Sequence, residues 1–255
     1  METSYIDLKD SHQVMKATKE FGMKKPLKIT RREFMAVAGG TIVSIGLPGV
    51  FFKLTDSDNR AMAAELRPDG RTRIPPGQHA VKALPDMGRF QSDGKVSAWS
   101  LKIDGEVENP LTLKISDLMR LKQITQTCDV HCVTGWTLLD SSWHGVPMKG
   151  IMELVKVKAE AGFVIFEAPG EYSSSIPISE AHKDNVLLAH SLFDKKLPQA
   201  HGAPLRALVP DRYFYKSVKW IQRIRFTVAD EPGYYEKSGY SNNADPWKEE
   251  RFDNN

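Results

Sequence analysis

The sequence has few cysteines, only 2 in 255 residues. A disulfide framework is therefore excluded as the basis of the fold, and each thiol needs its own explanation. A structural zinc site is excluded as well, because it takes four ligands and usually two cysteine pairs. Covalent c-type haem needs C-x-x-C-H, whereas three residues separate Cys128 from Cys132. In an extended strand these Cα atoms would lie roughly 13 Å apart, so a disulfide between them would require a tight turn.

The sequence also has little excess charge, with a formal net charge of +3. Residues 1–32 carry a net +4 and residues 33–63 a net −1, so the part from Ala64 onward is neutral. A neutral domain gives no electrostatic reason to expect a nucleic-acid partner. The sequence shows no internal repeat and no low-complexity tract.

The N-terminal segment has the pattern of an export signal. Arg31 and Arg32 precede a glycine-rich apolar run that ends at Phe52, which is typical of a twin-arginine signal for cargo that is exported already folded. Small residues at 61–63 predict cleavage before Ala64. We therefore predict a signal segment over 1–63 and a periplasmic or otherwise extracytoplasmic domain over 64–255. The apolar run of ~19 residues is long enough to span a bilayer, so an uncleaved membrane anchor stays open.

The part after residue 63 is long enough for one substantial core. Short strands and scattered short helices predict an α+β fold. We predict strands over 96–103, 111–113, 163–168, 186–190, 205–210 and 219–226, and a polar strand or loop over 173–178. We also predict a turn over 143–148, a helix over 150–155, and helix caps at Ser116 and Ser179.

The segment 129–136 holds Cys132 between two valines, which predicts a buried strand end or a tight turn. Gly135 permits a positive φ there. A thiol becomes a ligand or nucleophile only as thiolate, and the adjacent His131 would point to the opposite face of a strand. From these residues alone Cys132 is either a metal ligand or a packed, inert thiol.

Several short segments occur in an order that resembles the molybdopterin-binding domain of the sulfite oxidase family. They are Ile-Pro-Pro-Gly-Gln at 74–78, Asp-Gly-x-Val-x-Asn-Pro at 104–110, His-Cys-Val-Thr-Gly-Trp at 131–136, Trp-x-Gly-Val at 143–146, His-Gly-Ala-Pro-Leu-Arg at 201–206, Val-Pro at 209–210, Lys-Ser-Val-Lys-Trp at 216–220, Gly-Tyr-Ser at 239–241 and Pro-Trp at 246–247. The resemblance implies the mixed α+β, sulfite-oxidase-type molybdopterin-binding fold for residues 64–255.

The resemblance also implies a cofactor, molybdenum with one molybdopterin per metal and no haem. Cys132 matches the protein cysteine that binds the metal, so it is predicted to be both metal ligand and catalytic residue. A soft thiolate suits that role. Cys128 matches no ligand position and is interpreted as structural.

Further cofactor contacts follow from the same resemblance. Arg206 matches a position at the pterin or its phosphate, and the loop 216–219 matches one that offers backbone N–H groups and a lysine. His201 stands where relatives often carry Asn, and His79 is the weakest candidate. The predicted cofactor-binding residues are His131, Cys132, Ser174, Ser175, His201, Arg206, Lys216, Ser217 and Lys219.

The implied activity is two-electron, oxygen-atom-transfer-type redox chemistry of the sulfite oxidase kind, on a small sulfur oxyanion. The immunoglobulin-like and haem domains of some family members are absent from the sequence, which implies a separate electron-transfer partner such as a cytochrome or a membrane haem protein. The short architecture is also similar to that of the bacterial subunit that reduces protein methionine sulfoxide, so a reductase of S-oxides is the first alternative. Arg212 or Arg89 is expected to orient the substrate.

Two alternatives belong to other functional classes. One is a non-catalytic exported binding module on the same fold, although such a module would not need to keep Cys132 and Arg206. The other is a hydrolase with a cysteine nucleophile, which needs a histidine held by a third group. Candidates for that histidine are His144, His190 and His201.

Overall fold

The structure, a computed structural model, describes residues 65–87 and 99–253. The predicted signal segment and Arg89 lie outside these residues. The helices that the structure does describe are too short or too polar to cross a membrane.

Strands dominate the described part of the chain, and three α-helices and four 3₁₀ turns connect them. The strands are β1 (His79–Val81), β2 (Ser100–Gly105), β3 (Leu111–Lys114), β4 (Ile124–His131), β5 (Trp136–Pro147), β6 (Phe163–Glu167), β7 (Ser173–Pro177), β8 (Leu187–Leu192), β9 (Lys195–Lys196), β10 (Arg206–Leu208) and β11 (Arg223–Thr227). The helices are α1 (Ile115–Leu118), α2 (Met148–Val155) and α3 (Ile178–Ala181), with 3₁₀ turns at Gln199–His201, Phe214–Lys216, Glu236–Ser238 and Pro246–Lys248.

These strands form two mixed sheets. The first has the order β1-β5-β8-β10, with β4 paired to β5 and β9 to β8. The second has the order β3-β2-β11-β6-β7. The β1–β5 and β2–β11 pairs are parallel and the others antiparallel. The predicted α+β class is therefore confirmed.

The main core draws on both sheets and on α2. Alternate residues of β2 and β11 are buried, as a sheet with one covered face requires. Helix α2 buries its residues at helical spacing, with Met148, Ile151, Met152 and Val155 inward. Val146 of β5 and Leu188 of β8 belong to the same cluster.

A second apolar cluster surrounds the predicted metal ligand. Val130, Trp136, Leu138 and Trp143 are buried together with Cys132. The β4–β5 hairpin that carries Cys132 is part of the first sheet, and both of its strands contribute to this cluster.

The predicted turn over 143–148 is wrong, because residues 143–147 continue strand β5. Trp143 is paired with Gln126 on one side and with Leu192 on the other. The Gly-Val-Pro sequence there resembles a turn, but pairing on both edges holds it extended. Pro147 ends the strand, where a missing N–H is tolerated.

The predicted helix caps are also wrong. The N-cap of α1 is Lys114 and not Ser116, and that of α3 is Pro177 and not Ser179. Each helix begins directly at the end of a strand, so no loop residue is left to act as a cap. At α1 the Asp117 carboxylate instead accepts a 2.9 Å bond from the Lys114 N–H.

We predict that Gly105→Ala lowers the free energy of unfolding by about 2 kcal/mol or more. Gly105 has φ +91°, and an added Cβ would lie 2.1 Å from the Phe226 carbonyl oxygen. Gly150→Ala in α2 is the control, since nothing lies within 4 Å of its Cβ position. It should raise the same free energy by roughly 0.5–1 kcal/mol. Urea unfolding of the three proteins measures both values, and equal stabilities would contradict the described β2–β11 pairing.

Candidate active site

A cavity of about 460 Å³ lies beside the turn that carries Cys132. Its wall combines one thiol, three basic side chains and many aromatic rings. The lining residues are Leu84, Pro85, Met87, Cys132, Val133, Thr134, Trp136, Gly170, Tyr172, His201, Arg206, Phe214, Tyr215, Ser217, Lys219, Trp220, Tyr234, Tyr235 and Tyr240.

Cys132 lies in the tight turn between β4 and β5, as its sequence context predicts. Its backbone N–H donates to the Trp136 carbonyl at 2.8 Å, and the Gly135 N–H donates to the Cys132 carbonyl at 3.0 Å. Gly135 has φ +101°, a conformation that glycine adopts without steric cost. The turn buries the cysteine to 8 % exposure while keeping it on the cavity wall.

The two cysteines have different environments. Both thiols are free. The Thr134 hydroxyl donates to Sγ of Cys132 at 3.1 Å. Burial raises the pKa of the Cys128 thiol to about 12, so this group stays protonated inside β4.

Arg206 places a buried cation beside the same cavity. Only 2 % of its surface is exposed. Its Nη1 and Nη2 atoms donate to the carbonyls of His201 and Ser217, each at 2.9 Å, and its guanidinium lies 4.2 Å from the centre of the Phe214 ring. Burial lowers the pKa of Arg206 to about 9. The partners that the structure gives this cation are neutral, so its charge is available to an anion.

Lys219 and His201 add basic groups nearby. Lys219 Nζ donates to the Ala200 carbonyl at 2.9 Å and to the Met87 carbonyl. Burial, with repulsion from Arg206, lowers the pKa of Lys219 to about 8. His201 Nε2 lies 3.3 Å from Asp86 Oδ1, and burial lowers the pKa of His201.

Ser217 lies on the same cavity wall and contacts Arg206 through its backbone. Its carbonyl accepts from Arg206, and its hydroxyl accepts from the Val209 N–H at 2.9 Å. The structure therefore places five sequence-predicted residues on one cavity wall, namely Cys132, His201, Arg206, Ser217 and Lys219.

Lys216, Ser174 and Ser175 form a separate buried cluster. Lys216 Nζ lies 2.6 Å from Glu236 Oε1, and both side chains are 1 % exposed. The Ser174 hydroxyl donates to the same carboxylate, and the Ser175 carbonyl accepts from Lys216 at 3.0 Å. Burial lowers the pKa of Lys216, and Glu236 opposes this shift. In the described structure these three residues are not part of the cavity wall.

His131 lies behind the Cys132 turn. Its Nδ1 pairs with the Thr137 hydroxyl at 3.0 Å, and its ring meets the Trp247 ring edge-on at 4.9 Å. Burial lowers its pKa to about 3, so the ring is neutral. His79 is an exposed residue at the start of β1. The described lining includes neither histidine.

Arg212, one candidate for substrate orientation, is held elsewhere. Its Nη2 lies 2.6 Å from Glu180 Oε2, and its Nη1 donates to the Asn243 carbonyl at 2.9 Å. Arg212 does not line the cavity in the part of the chain that the structure covers.

The hydrolase alternative finds no support in the described contacts. The ring centres of His144 and His190 lie 5.2 Å apart. His144 is hydrogen-bonded to Thr125, and His190 to Gln123. The side-chain partner that the structure gives the Cys132 sulfur is the hydroxyl of a threonine.

The sequence reasoning missed three polar residues at the turn. Gln78 donates to the Cys132 carbonyl at 2.9 Å, and its own side-chain oxygen accepts from Thr137 at 2.9 Å. Thr134 contacts the sulfur, and Trp136 Nε1 is buried with no partner among the described residues. Gln78, Thr134 and Trp136 all belong to motifs that carried the resemblance, but residue type alone indicates no role for them.

The sequence reasoning also missed the aromatic side of the cavity. Tyr172, Tyr215, Tyr234, Tyr235 and Tyr240 line it, and their rings meet mostly edge-on. The sequence after Pro232 is rich in aromatic residues, which indicates that this segment is ordered. Composition alone does not indicate that its tyrosines line a cavity.

The wall fits an anionic cofactor that carries a metal. The unpaired Trp136 N–H and the Arg206 cation lacking a carboxylate are donors that such a group would satisfy. The Cys132 thiol supplies one soft ligand on the same wall. Among the described residues no three His, Cys, Asp or Glu side chains form a metal cluster.

Comparison with known proteins points to one family. The model of the oxidoreductase molybdopterin binding domain matches residues 88–235. An uncharacterized oxidoreductase, YuiH of Bacillus subtilis (strain 168), is 36 % identical over 186 residues, which cover 72 % of this chain and 94 % of that protein.

Relatives with a stated activity are more distant or longer. The protein-methionine-sulfoxide reductase catalytic subunit MsrP of Xanthomonas campestris is 34 % identical over 148 residues, 52 % of this chain and 46 % of that protein. MsrP of Burkholderia mallei is 27 % identical over 226 residues, which cover 77 % of this chain and 67 % of that protein. The chain thus spans just under half the length of the Xanthomonas relative.

A solved structure shows the same fold. The sulfane dehydrogenase SoxCD from Paracoccus pantotrophus superposes with a TM-score of 0.51 at 20 % identity, covering 74 % of this chain and 56 % of that one. The fold predicted from the sequence motifs is thereby confirmed. The chain belongs to the molybdopterin-binding oxidoreductase domain family of the sulfite oxidase type.

Proposed function

We propose that this protein is an exported, molybdenum-dependent oxidoreductase that transfers an oxygen atom to or from sulfur in a two-electron reaction. The observation that carries the proposal is one cavity that holds both the Cys132 thiol and the buried Arg206 cation. A non-catalytic binding module would not need a thiol on the same wall as a cation whose desolvation costs free energy.

Each wall residue has a role in holding the cofactor. Arg206 and Lys219 would bind the phosphate, because they are basic groups whose described hydrogen-bond acceptors are neutral carbonyls. His201 and Trp136 would donate hydrogen bonds to the pterin, and Cys132 would bind the metal. When bound, the cofactor supplies the two-electron redox chemistry, while the protein sets its position and its electrostatic environment.

The rest of the wall favours a neutral S-oxide over a sulfur oxyanion as substrate. Once the basic residues hold the cofactor and the Thr134 hydroxyl is directed to the Cys132 sulfur, the remaining described lining is apolar or tyrosine except for Ser217. Burial raises the pKa of Tyr235, so its hydroxyl stays protonated and can donate to an S=O oxygen. Arg212, which would bind an oxyanion, is paired with Glu180. The names of the MsrP relatives agree with this choice.

Export and electron delivery complete the proposal. The paired arginines at 31–32 support twin-arginine export to the periplasm or another extracytoplasmic compartment. Electrons would be exchanged with a separate protein, such as a cytochrome or a membrane haem protein. An uncleaved signal would anchor the enzyme next to a membrane partner.

We predict that protein purified from a host that makes molybdopterin contains about one molybdenum per chain, measured by plasma mass spectrometry. Cys132→Ala should abolish S-oxide reduction and change the metal's absorption spectrum. Cys128→Ala is the control and should keep both, because its thiol lies inside β4. The pterin can hold metal without the thiolate, so retained metal in Cys132→Ala is compatible with ligation. A parent protein with neither molybdenum nor tungsten would contradict the proposal.

We predict that Arg206→Met lowers the pterin content severalfold, since the phosphate loses a buried cation. The free energy of unfolding of the cofactor-free protein should fall by less than about 1 kcal/mol or rise, because an unpaired buried charge is removed. Pterin fluorescence after release and urea unfolding measure the two effects. Arg212→Met is the control, and its pterin content should match the parent. A large loss of stability with unchanged pterin content would instead assign Arg206 a structural role.

We predict that replacing both Arg31 and Arg32 by lysine leaves the protein in the cytoplasm. Fractionation and N-terminal sequencing test this, and the exported parent should begin at Ala64. Unimpaired export of the double variant would rule out the twin-arginine route.

A further inference from the structure

We propose that Thr134 is a positioning residue that tunes the reduction potential of the bound metal, by donating a hydrogen bond to the Cys132 sulfur. The proposal rests on the proposed function in one respect, namely that Cys132 is the protein ligand of the metal. Binding of the cofactor does not by itself require a hydrogen bond from Thr134 to the sulfur, so this role is additional to the proposed function.

The first observation is the contact itself. Thr134 Oγ1 lies 3.1 Å from Sγ of Cys132, and both residues line the cavity. A hydroxyl has a single proton to donate. The described geometry directs that proton toward the sulfur.

The second observation is that the turn is fixed from several sides. The Gln78 amide donates to the Cys132 carbonyl at 2.9 Å, and the His79 N–H donates to the Gly135 carbonyl at 3.0 Å. Arg251 donates to the Val133 carbonyl from the far end of the chain. The distance between hydroxyl and sulfur is therefore set by the fold and does not depend on a mobile loop.

The third observation concerns the side chain. Threonine is branched at Cβ, which restricts χ1 and holds its hydroxyl in few directions. Valine has nearly the same shape without the donor, and serine keeps the donor without the methyl group. The chain thus allows the hydrogen bond and the packing to be varied separately.

The expected effect has a definite sign. A donor to a metal-bound thiolate withdraws electron density from the sulfur, so it stabilises the more electron-rich, reduced form of the metal centre. The hydrogen bond therefore raises the reduction potential. Its loss lowers the potential and makes the centre harder to reduce.

The experiment is an optical redox titration of the molybdenum-loaded protein and its variants. At the midpoint potential of the parent, the ratio of reduced to oxidised centre should fall about three- to tenfold in Thr134→Val, the range expected from one hydrogen bond. The sulfur-to-metal charge-transfer band should move to longer wavelength. Thr134→Ser should restore most of both properties.

The matched control is Thr125→Val, the same substitution in β4. The Thr125 hydroxyl pairs with His144 at 2.9 Å, outside the described cavity wall. The midpoint potential and the charge-transfer band of Thr125→Val should equal those of the parent protein. If Thr134→Val fails to retain metal, Thr134→Ala replaces it in the same titration.

The outcomes separate this proposal from the proposed function. A metal-loaded Thr134→Val or Thr134→Ala with the parent's midpoint and band would overturn the role of Thr134 and leave the proposed function intact. Failure of Thr134→Ser to restore the midpoint would also overturn it, since the shift would then reflect packing. A parent protein without molybdenum or tungsten would overturn both proposals.

Discussion

The burial of the Arg206 guanidinium against neutral carbonyls is the constraint on which the site depends. The contacts of this cation join the 3₁₀ turn that ends at His201, strand β10 and Ser217. A cation desolvated in this way would be stabilised by an anion in the cavity, which is the reason for proposing Arg206 as a contact of an anionic cofactor. The Lys216–Glu236 pair shows the contrast, since that buried cation already has its carboxylate.

The first sheet brings the thiol and this cation to one cavity. Strand β5 pairs with β4, which leads into the Cys132 turn, and also with β8, which pairs with the Arg206 strand. Residues far apart in sequence therefore meet through sheet pairing alone. Tyr234, Tyr235 and Tyr240 of the cavity lining come from the segment that contains Glu236. The buried Lys216–Glu236 pair therefore joins that segment to the turn beside Ser217.

Much of this arrangement could be predicted from the sequence. Alternation in β2 and β11 and the strand over Phe163–Glu167 follow from local periodicity, and the Cys132 turn follows from its flanking valines and Gly135. The strand through Trp143 could not be predicted, because pairing on both edges overrides a local turn sequence. Lys216 and Lys219 are three residues apart in one motif, yet a 3₁₀ turn directs one toward Glu236 and leaves the other at the cavity. The sequence cannot show this difference between the two lysines, because it depends on how the turn is placed in the folded chain.

The contacts that hold the Cys132 turn have a consequence for partial unfolding. Arg251 donates to the Val133 carbonyl, and the Trp247 ring meets the ring of His131, next to Cys132. Trp247 also donates to the Thr72 carbonyl at 2.8 Å, and Arg71 stacks on its ring at 3.7 Å. Segments that are far apart in sequence thus meet beside the turn. Fraying of either segment would release contacts to the turn while both sheets stay paired, so the geometry around Cys132 would be lost before the core opens.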